Sequence, residues 1–198
     1  MEMLVIPVGS YQTNCYMLWQ AGREDCVLID PGSAHKEILE MTEKQGKNVS
    51  AILLTHGHFD HVGAVRKIAE KTGCPVYLHP AEKKLPVFMT AGPLYSTDGY
   101  AESICVAGLT FRVIPTPGHT PGSVCLICEG MLFSGDTLFA GSCGRTDFPG
   151  SDPKEMAASL KRLRELPGDY QVFPGHGEDT TLSFERENNP YMRGLPQH

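Results

Sequence analysis

Four side chains able to bind a metal ion crowd into six positions of the 198-residue chain, in Thr55-His56-Gly57-His58-Phe59-Asp60-His61. His56 and His58 are two apart, so in an extended segment both rings project to the same side, whereas Asp60 and His61 can turn toward a neighbouring point. One loop can therefore serve two metal positions. Imidazole combined with carboxylate suits zinc, iron or manganese, and the lack of a paired cysteine favours an open, catalytic arrangement over a closed structural zinc site. Three more candidates follow apolar stretches and sit beside glycine: Pro117-Gly118-His119-Thr120, Ser134-Gly135-Asp136-Thr137 and Pro174-Gly175-His176-Gly177. Glycine there lets the backbone come close to a bound group. Taken singly, each reads more simply as a structural or exposed side chain. Taken with the His56–His61 cluster, they form a set that chance does not readily supply.

These residues need elements to carry them. Apolar and aromatic runs broken by Gly or Asp predict strands at residues 4–8, 14–19 and 26–29. Residues 34–45 have Ile38, Leu39 and Met41 on one helical face, with Gly46 as a stop. A buried strand over 49–54 then delivers the histidine cluster. Residues 60–72 read as one helix, with Asp60 as its N-cap and Gly73 beyond its end. A strand at 76–78 follows, while the loop-rich segment 80–103 takes no assignment. A second strand series is predicted at 109–114, 124–128 and 131–133. Asp152-Pro153-Lys154-Glu155 combines a cap, a proline at the first helical position and an acid three residues on, which predicts a helix to about residue 166. One last strand, 171–173, leads to His176. With no repeat or linker, residues 1–198 read as one domain, and two strand series with their helices suit a four-layer α/β/β/α sandwich.

The composition narrows the function classes. Lys and Arg number 17 against 23 Asp and Glu, a net charge of −6, and no basic run offers a footprint for nucleic acid or an anionic membrane. Hydrophobic residues at 41% and charged residues at 20% suit a folded, soluble chain. No stretch approaches the ~20 apolar residues that span a bilayer, and the start lacks a secretory pattern, so a cytoplasmic location is expected. Seven cysteines, an odd number, point to buried free thiols rather than a disulfide framework.

His56-x-His58-x-Asp60-His61, followed in order by His119, Asp136 and His176, resembles the ligand pattern of the metallo-β-lactamase superfamily over residues 30–176. The resemblance implies an αββα sandwich of two mixed sheets flanked by helices, with a metal pair at one sheet edge. His56, His58 and His119 would hold the first ion, Asp60, His61 and His176 the second, and Asp136 would bridge them. Two divalent ions are implied, zinc foremost, with iron or manganese as alternatives, and a hydroxide between them as nucleophile. Asp60 and Asp136 are then the candidate catalytic carboxylates, Asp60 orienting the nucleophile or relaying its proton. Asp30, in Leu28-Ile29-Asp30-Pro31-Gly32, matches a motif whose acid is an architectural hydrogen-bonding partner. No Gly-x-Ser-x-Gly elbow is present, so a serine triad has no support.

Within the superfamily, Gly141-Ser142-Cys143-Gly144-Arg145-Thr146-Asp147-Phe148, the stretch 173–181 and Glu187-Asn188-Asn189-Pro190 are similar to the hydroxyacylglutathione hydrolases (glyoxalase II) and their short relatives. That likeness implies hydrolysis of a small-molecule thioester of a small thiol carrier. Full-length members hold glutathione with a helical region after the last histidine, and 22 residues follow His176 here, so the carrier stays open between glutathione and another thiol. Persulfide dioxygenases share Gly144-Arg145-Thr146-Asp147 and bind one iron through the equivalents of His56, His119 and Asp136, which makes them the main alternative, beside other metallohydrolase substrates.

Other residues carry less. Arg145 could contact a carboxylate of the carrier or simply pair with Asp147. Tyr191 and Arg193 are secondary substrate-contact candidates on a tail where most side chains contact nothing. Cys125-x-x-Cys128 invites a redox or zinc reading, but positions three apart on a strand face opposite sides, which favours core packing. His35, His79 and the terminal His198 read as structural or exposed. Nothing in the sequence sets the oligomeric state.

Overall fold

Strands that are apolar on both faces need cover on both faces. The computed structural model, which describes residues 1–92, 94–95 and 97–193, supplies that cover with two central sheets and helices outside them. The first sheet runs in chain order: β1 (Glu2–Val8), β2 (Thr13–Trp19), β3 (Asp25–Ile29), β4 (Asn48–Leu53) and β5 (Val76–Tyr77). It is antiparallel from β1 to β3 and parallel from β3 to β5. Helix α1 (His35–Lys44) makes the first parallel crossover; α2 (Phe59–Val62) and α3 (Val65–Thr72) make the second.

The second sheet begins with β6 (Ser103–Val106), β7 (Leu109–Pro115), β8 (Val124–Cys128) and β9 (Met131–Gly135). After the small hairpin β10 (Leu138–Phe139) and β11 (Ser142–Cys143), α4 (Pro153–Arg164) crosses to β12 (Gln171–Pro174), which pairs parallel with β9. β13 (Thr180–Thr181) closes the sheet, and α5 (Leu182–Asn188) and α6 (Pro190–Arg193) end the described chain.

Alternation along single strands separates three apolar layers. Met17 and Leu28 point toward α1 and α3 and pack with Ile38 and Ile68, while their neighbours Leu18 and Ile29 point between the sheets with Phe111 and Phe133. Leu132 points the other way from Phe133, into a third cluster with Leu160 and Val172. Each such side chain contributes about 1.5–3 kcal/mol by leaving water. The expected αββα sandwich is therefore what the burial pattern builds. Cys125 joins the outer cluster and Cys128 the one between the sheets, as their spacing required. All seven cysteines are free, and among the described residues no helix is long and apolar enough to cross a membrane.

The predicted helix over 60–72 is corrected in two respects. It is split into α2 and α3, because the Ala64 N–H leaves the helical ladder to donate to the Pro31 carbonyl, at 3.1 Å. Asp60 is not its N-cap: His58 precedes α2 in extended backbone with no side-chain cap, and the Asp60 carboxylate accepts instead from Thr13 Oγ1, at 3.3 Å. Asp152 does cap α4, accepting from the backbone N–H groups of Lys154 and Glu155 at 2.7 and 3.3 Å. Segment 80–103, unassigned from sequence, contains two 3₁₀ turns, Pro80–Lys84 and Val87–Met89.

Candidate metal centre

β3 and β4 run parallel, as do β7, β9 and β12 across the antiparallel β8, so the segments that follow them emerge at one edge of each sheet. Those segments carry Asp30, His56 to His61, His119, Asp136 and His176. Two groups of ligand atoms result: His56, His58 and His119, and Asp60, His61 and His176. His58 Nδ1 lies 2.9 Å from His119 Nε2, and His61 Nε2 lies 3.3 Å from His176 Nε2. Asp136 stands between the groups, with Oδ1 at 3.3 Å from His61 Nε2 and Oδ2 at 3.4 Å from His119 Nε2. The structure brings all seven sequence candidates together.

Outer partners fix which ring nitrogen faces the centre. His61 Nδ1 meets Asp30 Oδ2 at 2.9 Å, His119 Nδ1 meets the Arg145 carbonyl at 2.8 Å, and His176 Nδ1 meets the Tyr11 carbonyl at 3.2 Å. His56 Nδ1 meets Thr55 Oγ1 at 3.1 Å, and that hydroxyl spends its own proton on Asp30 Oδ2, at 2.5 Å. In these four rings Nδ1 faces a partner outside the centre and Nε2 turns inward. Asp30 could itself be counted with His56 and His61 as a third cluster. Its oxygens are already engaged by the Thr55 N–H, the Thr55 hydroxyl and His61, so it orients rather than ligates, as the resemblance implied.

Among the described residues, buried His56 Nε2 and Asp136 Oδ1 have no hydrogen-bond partner, and His58 presents Nδ1 to the centre beside His119 Nε2. Leaving such groups bare costs a few kcal/mol each by order of magnitude. Inward imidazole nitrogens around an unpartnered carboxylate oxygen fit a divalent cation, and the donor set suits zinc, iron or manganese.

The electrostatics agree. Burial and the neighbouring His119 push His58 down to about 4, and burial also lowers His56 and His119, so these three stay neutral and available as ligands. Burial opposes charge on His61, yet Asp136 and Asp30 raise it well above the ordinary imidazole range. His176 is likewise raised, against burial, by its hydrogen bond to Asp60. Asp60 and Asp136 are held below the usual carboxylate range against burial, by His176 and His61 respectively. The second group thus carries protons that a bound cation would displace.

A cleft of about 460 Å³ opens above this floor. His58, Asp60 and Asp136 face it, and Tyr11, Phe59, Phe88 and Phe148 wall it with exposed aromatic surface. Arg145 borders the cleft, its guanidinium 3.8 Å from the Phe148 ring centroid and paired with Asp147 through contacts of 2.6 and 2.7 Å. Tyr191 lines a separate groove behind the 143–146 segment, and Arg193 ends α6; neither is among the residues of the cleft. His79 accepts from the Ala81 N–H at 3.3 Å as a cap, and His35 opens α1 half-buried. His198 lies outside the described residues.

Sequence reasoning missed the supporting residues. Thr13 holds Asp60, and Asn14 Nδ2 donates to the Pro174 and Gly177 carbonyls at 3.1 and 3.0 Å on either side of His176. The one available signal was a Thr-Asn pair on a strand otherwise apolar on both faces. Asp30→Asn keeps the volume and tolerates the left-handed backbone (φ 49°) at this site, but turns an amide donor toward donors. We expect it to lower metal affinity about 10–100-fold, read by chelator competition. It should also reduce stability of the metal-free chain by about 1–3 kcal/mol in denaturant unfolding.

A sequence model of the metallo-beta-lactamase superfamily matches residues 8–176. Hydroxyacylglutathione hydrolase GloC of Haemophilus influenzae is 32% identical, over 97% of this chain and 98% of its own. Among solved structures, BLEG-1 B3 metallo-beta-lactamase aligns with a TM-score of 0.89 at 36% identity, covering 98% of this chain and 100% of the other. TTHA1623 in a di-iron-bound form aligns with a TM-score of 0.86 at 40% identity, covering 95% and 99%. With the match spanning most of its length and the fold and histidine pattern in accord, the chain belongs to the metallo-beta-lactamase superfamily, most of whose members are metal-dependent hydrolases.

Proposed function

We propose that the protein hydrolyses a thioester of a small thiol carrier at a centre of two divalent ions, zinc foremost and iron next. One observation carries this reading: a group of three imidazoles and a group of two imidazoles and a carboxylate flank Asp136 at the floor of a cleft wide enough for a small molecule. His56, His58 and His119 would hold one ion, Asp60, His61 and His176 the other, with Asp136 common to both. Bound there, divalent ions supply Lewis acidity toward a carbonyl and make a coordinated water acidic near neutrality.

The chain's own groups do the rest. Asp60, anionic and facing the cleft, is placed to accept a proton from an attacking water and to orient it. Tyr11, Phe59, Phe88 and Phe148 receive the apolar part of the substrate and exclude bulk water from the floor. Arg145 is offered as the contact for a carboxylate of the carrier. Its pairing with Asp147 is solvent-exposed and weakly held, so exchanging that partner for a substrate group loses little. The likeness to GloC supports the thioester, and the likeness to a di-iron-bound structure supports iron as the first alternative to zinc. Seven unpaired cysteines support a reducing, cytoplasmic setting, and the acidic net charge supports a small-molecule substrate rather than nucleic acid.

The test joins metal analysis of purified protein to two assays, hydrolysis of S-lactoylglutathione and oxygen uptake with glutathione persulfide. About two metal ions per chain with thioester cleavage is the expected result. A single iron per chain with oxygen uptake and no cleavage would replace this reading with persulfide oxidation on His56, His119 and Asp136.

A further inference from the structure

Glu82 is fully buried in the first 3₁₀ turn of the segment that sequence patterning left unassigned. Its two carboxylate oxygens reach different loops. Oε2 accepts from the Gly57 N–H and Oε1 from the Gly122 N–H, both at 2.6 Å. Gly57 lies between His56 and His58, and Gly122 lies three residues after His119. One carboxylate therefore ties together the two loops that carry the first group of ligands. Bonds from N–H groups to an ionised acceptor are short and roughly twice as strong as neutral ones.

His58 explains why such a tie is needed. His56, His61, His119 and His176 each have Nδ1 engaged by a partner outside the centre, on Thr55, Asp30, Arg145 and Tyr11 respectively. His58 turns Nδ1 inward, and its Nε2 has no hydrogen-bond partner among the described residues. Among the described residues, an edge contact with Phe148 at 5.8 Å is the one ring contact His58 has outside the candidate ligands. The adjacent backbone has one: a Cβ on Gly57 would lie 3.1 Å from Glu82 Oε2, and a Cβ on Gly122 only 2.7 Å from Glu82 Oε1. Asp30 performs the equivalent task for His61 directly and for His56 through the Thr55 hydroxyl.

We propose that Glu82 is a positioning residue that sets His58 against His119 and so tunes metal affinity in the first group alone. The proposal rests on the metal centre described above. Glu82→Gln keeps shape but offers one acceptor where two N–H groups point, so one of them faces an amide donor. Stepwise zinc titration against a chromophoric chelator should then show one binding step weakened about 10–100-fold and the other unchanged. The weakened step should be the one that His119→Ala removes. Gly122→Ala, which displaces Glu82 from the other side, should weaken the same step to a lesser degree and carries the test if Glu82→Gln does not fold.

Glu185 provides the control. It is also fully buried and accepts from a backbone N–H, that of Gly141 at 2.8 Å, but it joins the tip of the β10–β11 hairpin to Asn189 rather than two ligand-bearing loops. Glu185→Gln should lower the melting temperature of the metal-free chain and leave both zinc steps as they are. If Glu82→Gln and Gly122→Ala leave both steps unchanged, or weaken both equally, the inference is overturned while the metal centre stands. Absence of zinc binding by the unsubstituted chain would overturn the centre and the inference together.

Discussion

Asp136→Ala should leave a folded chain that retains neither metal ion. The carboxylate sits between the two groups, 3.3 Å from His61 on one side and 3.4 Å from His119 on the other, and 3.7 Å from His176. Removing it withdraws the negative charge that both sets of imidazoles share, and it leaves His61 with Asp30 as its remaining close carboxylate at hydrogen-bonding distance. Loss of an outer partner costs roughly 10–100-fold in affinity or activity, so loss of the shared group should exceed about 100-fold in turnover. Metal content by elemental analysis should fall at both positions together. Asp136→Asn separates charge from shape: it should lose metal nearly as fully, because the amide keeps the volume and one acceptor but not the charge. Retention of one full equivalent in either variant would show that Asp136 serves a single position.

Gly175→Ala should disable the centre without touching any metal-binding side chain. A Cβ there would clash with Asp136 Oδ1 and lie 2.6 Å from His61 Cε1, between the shared carboxylate and the second group. The backbone cannot step aside. Gly175 N donates to the Gly135 carbonyl and the Gly175 carbonyl accepts from the Asn14 N–H, both at 2.8 Å, so the residue is pinned to the segments before Asp136 and after Tyr11. Overpacking of this kind costs about 1–3 kcal/mol. Here much of that strain should be relieved by moving Asp136 and His61 apart. The expected result is a melting temperature lowered by several degrees, metal affinity down by more than about 100-fold and turnover lost in proportion. A metal-replete, active Gly175→Ala chain would show that the two groups are less tightly packed than the geometry indicates.

Both outcomes turn on a division visible along the chain. The candidate ligands were legible because their chemistry is in their identity: few roles other than metal binding place two His, an Asp and a third His within six residues after an apolar strand. The sandwich was legible because β2, β3, β8 and β9 are buried on both faces, and such strands read as unbroken apolar runs. The helix at 60–72 misled because its apolar spacing continues through residues where the Ala64 N–H is taken by Pro31, a bond made 33 positions away in sequence.

Composition and spacing by themselves thus pointed to a metal centre, to its candidate residues and to the layers that hold them. Tertiary structure alone decided how those residues are aimed. The Arg145 and Tyr11 carbonyls orient His119 and His176 through backbone oxygens, which every residue possesses and no side-chain pattern reveals. Asn14 reaches Pro174 across 160 positions, and Glu82 reaches Gly122 across 40. Such contacts follow from where the loops meet, and loop placement depends on packing of the whole sandwich rather than on any local propensity. The histidine cluster announces a metal centre; the carbonyls, Asp30 and Glu82 that converge on it set its geometry.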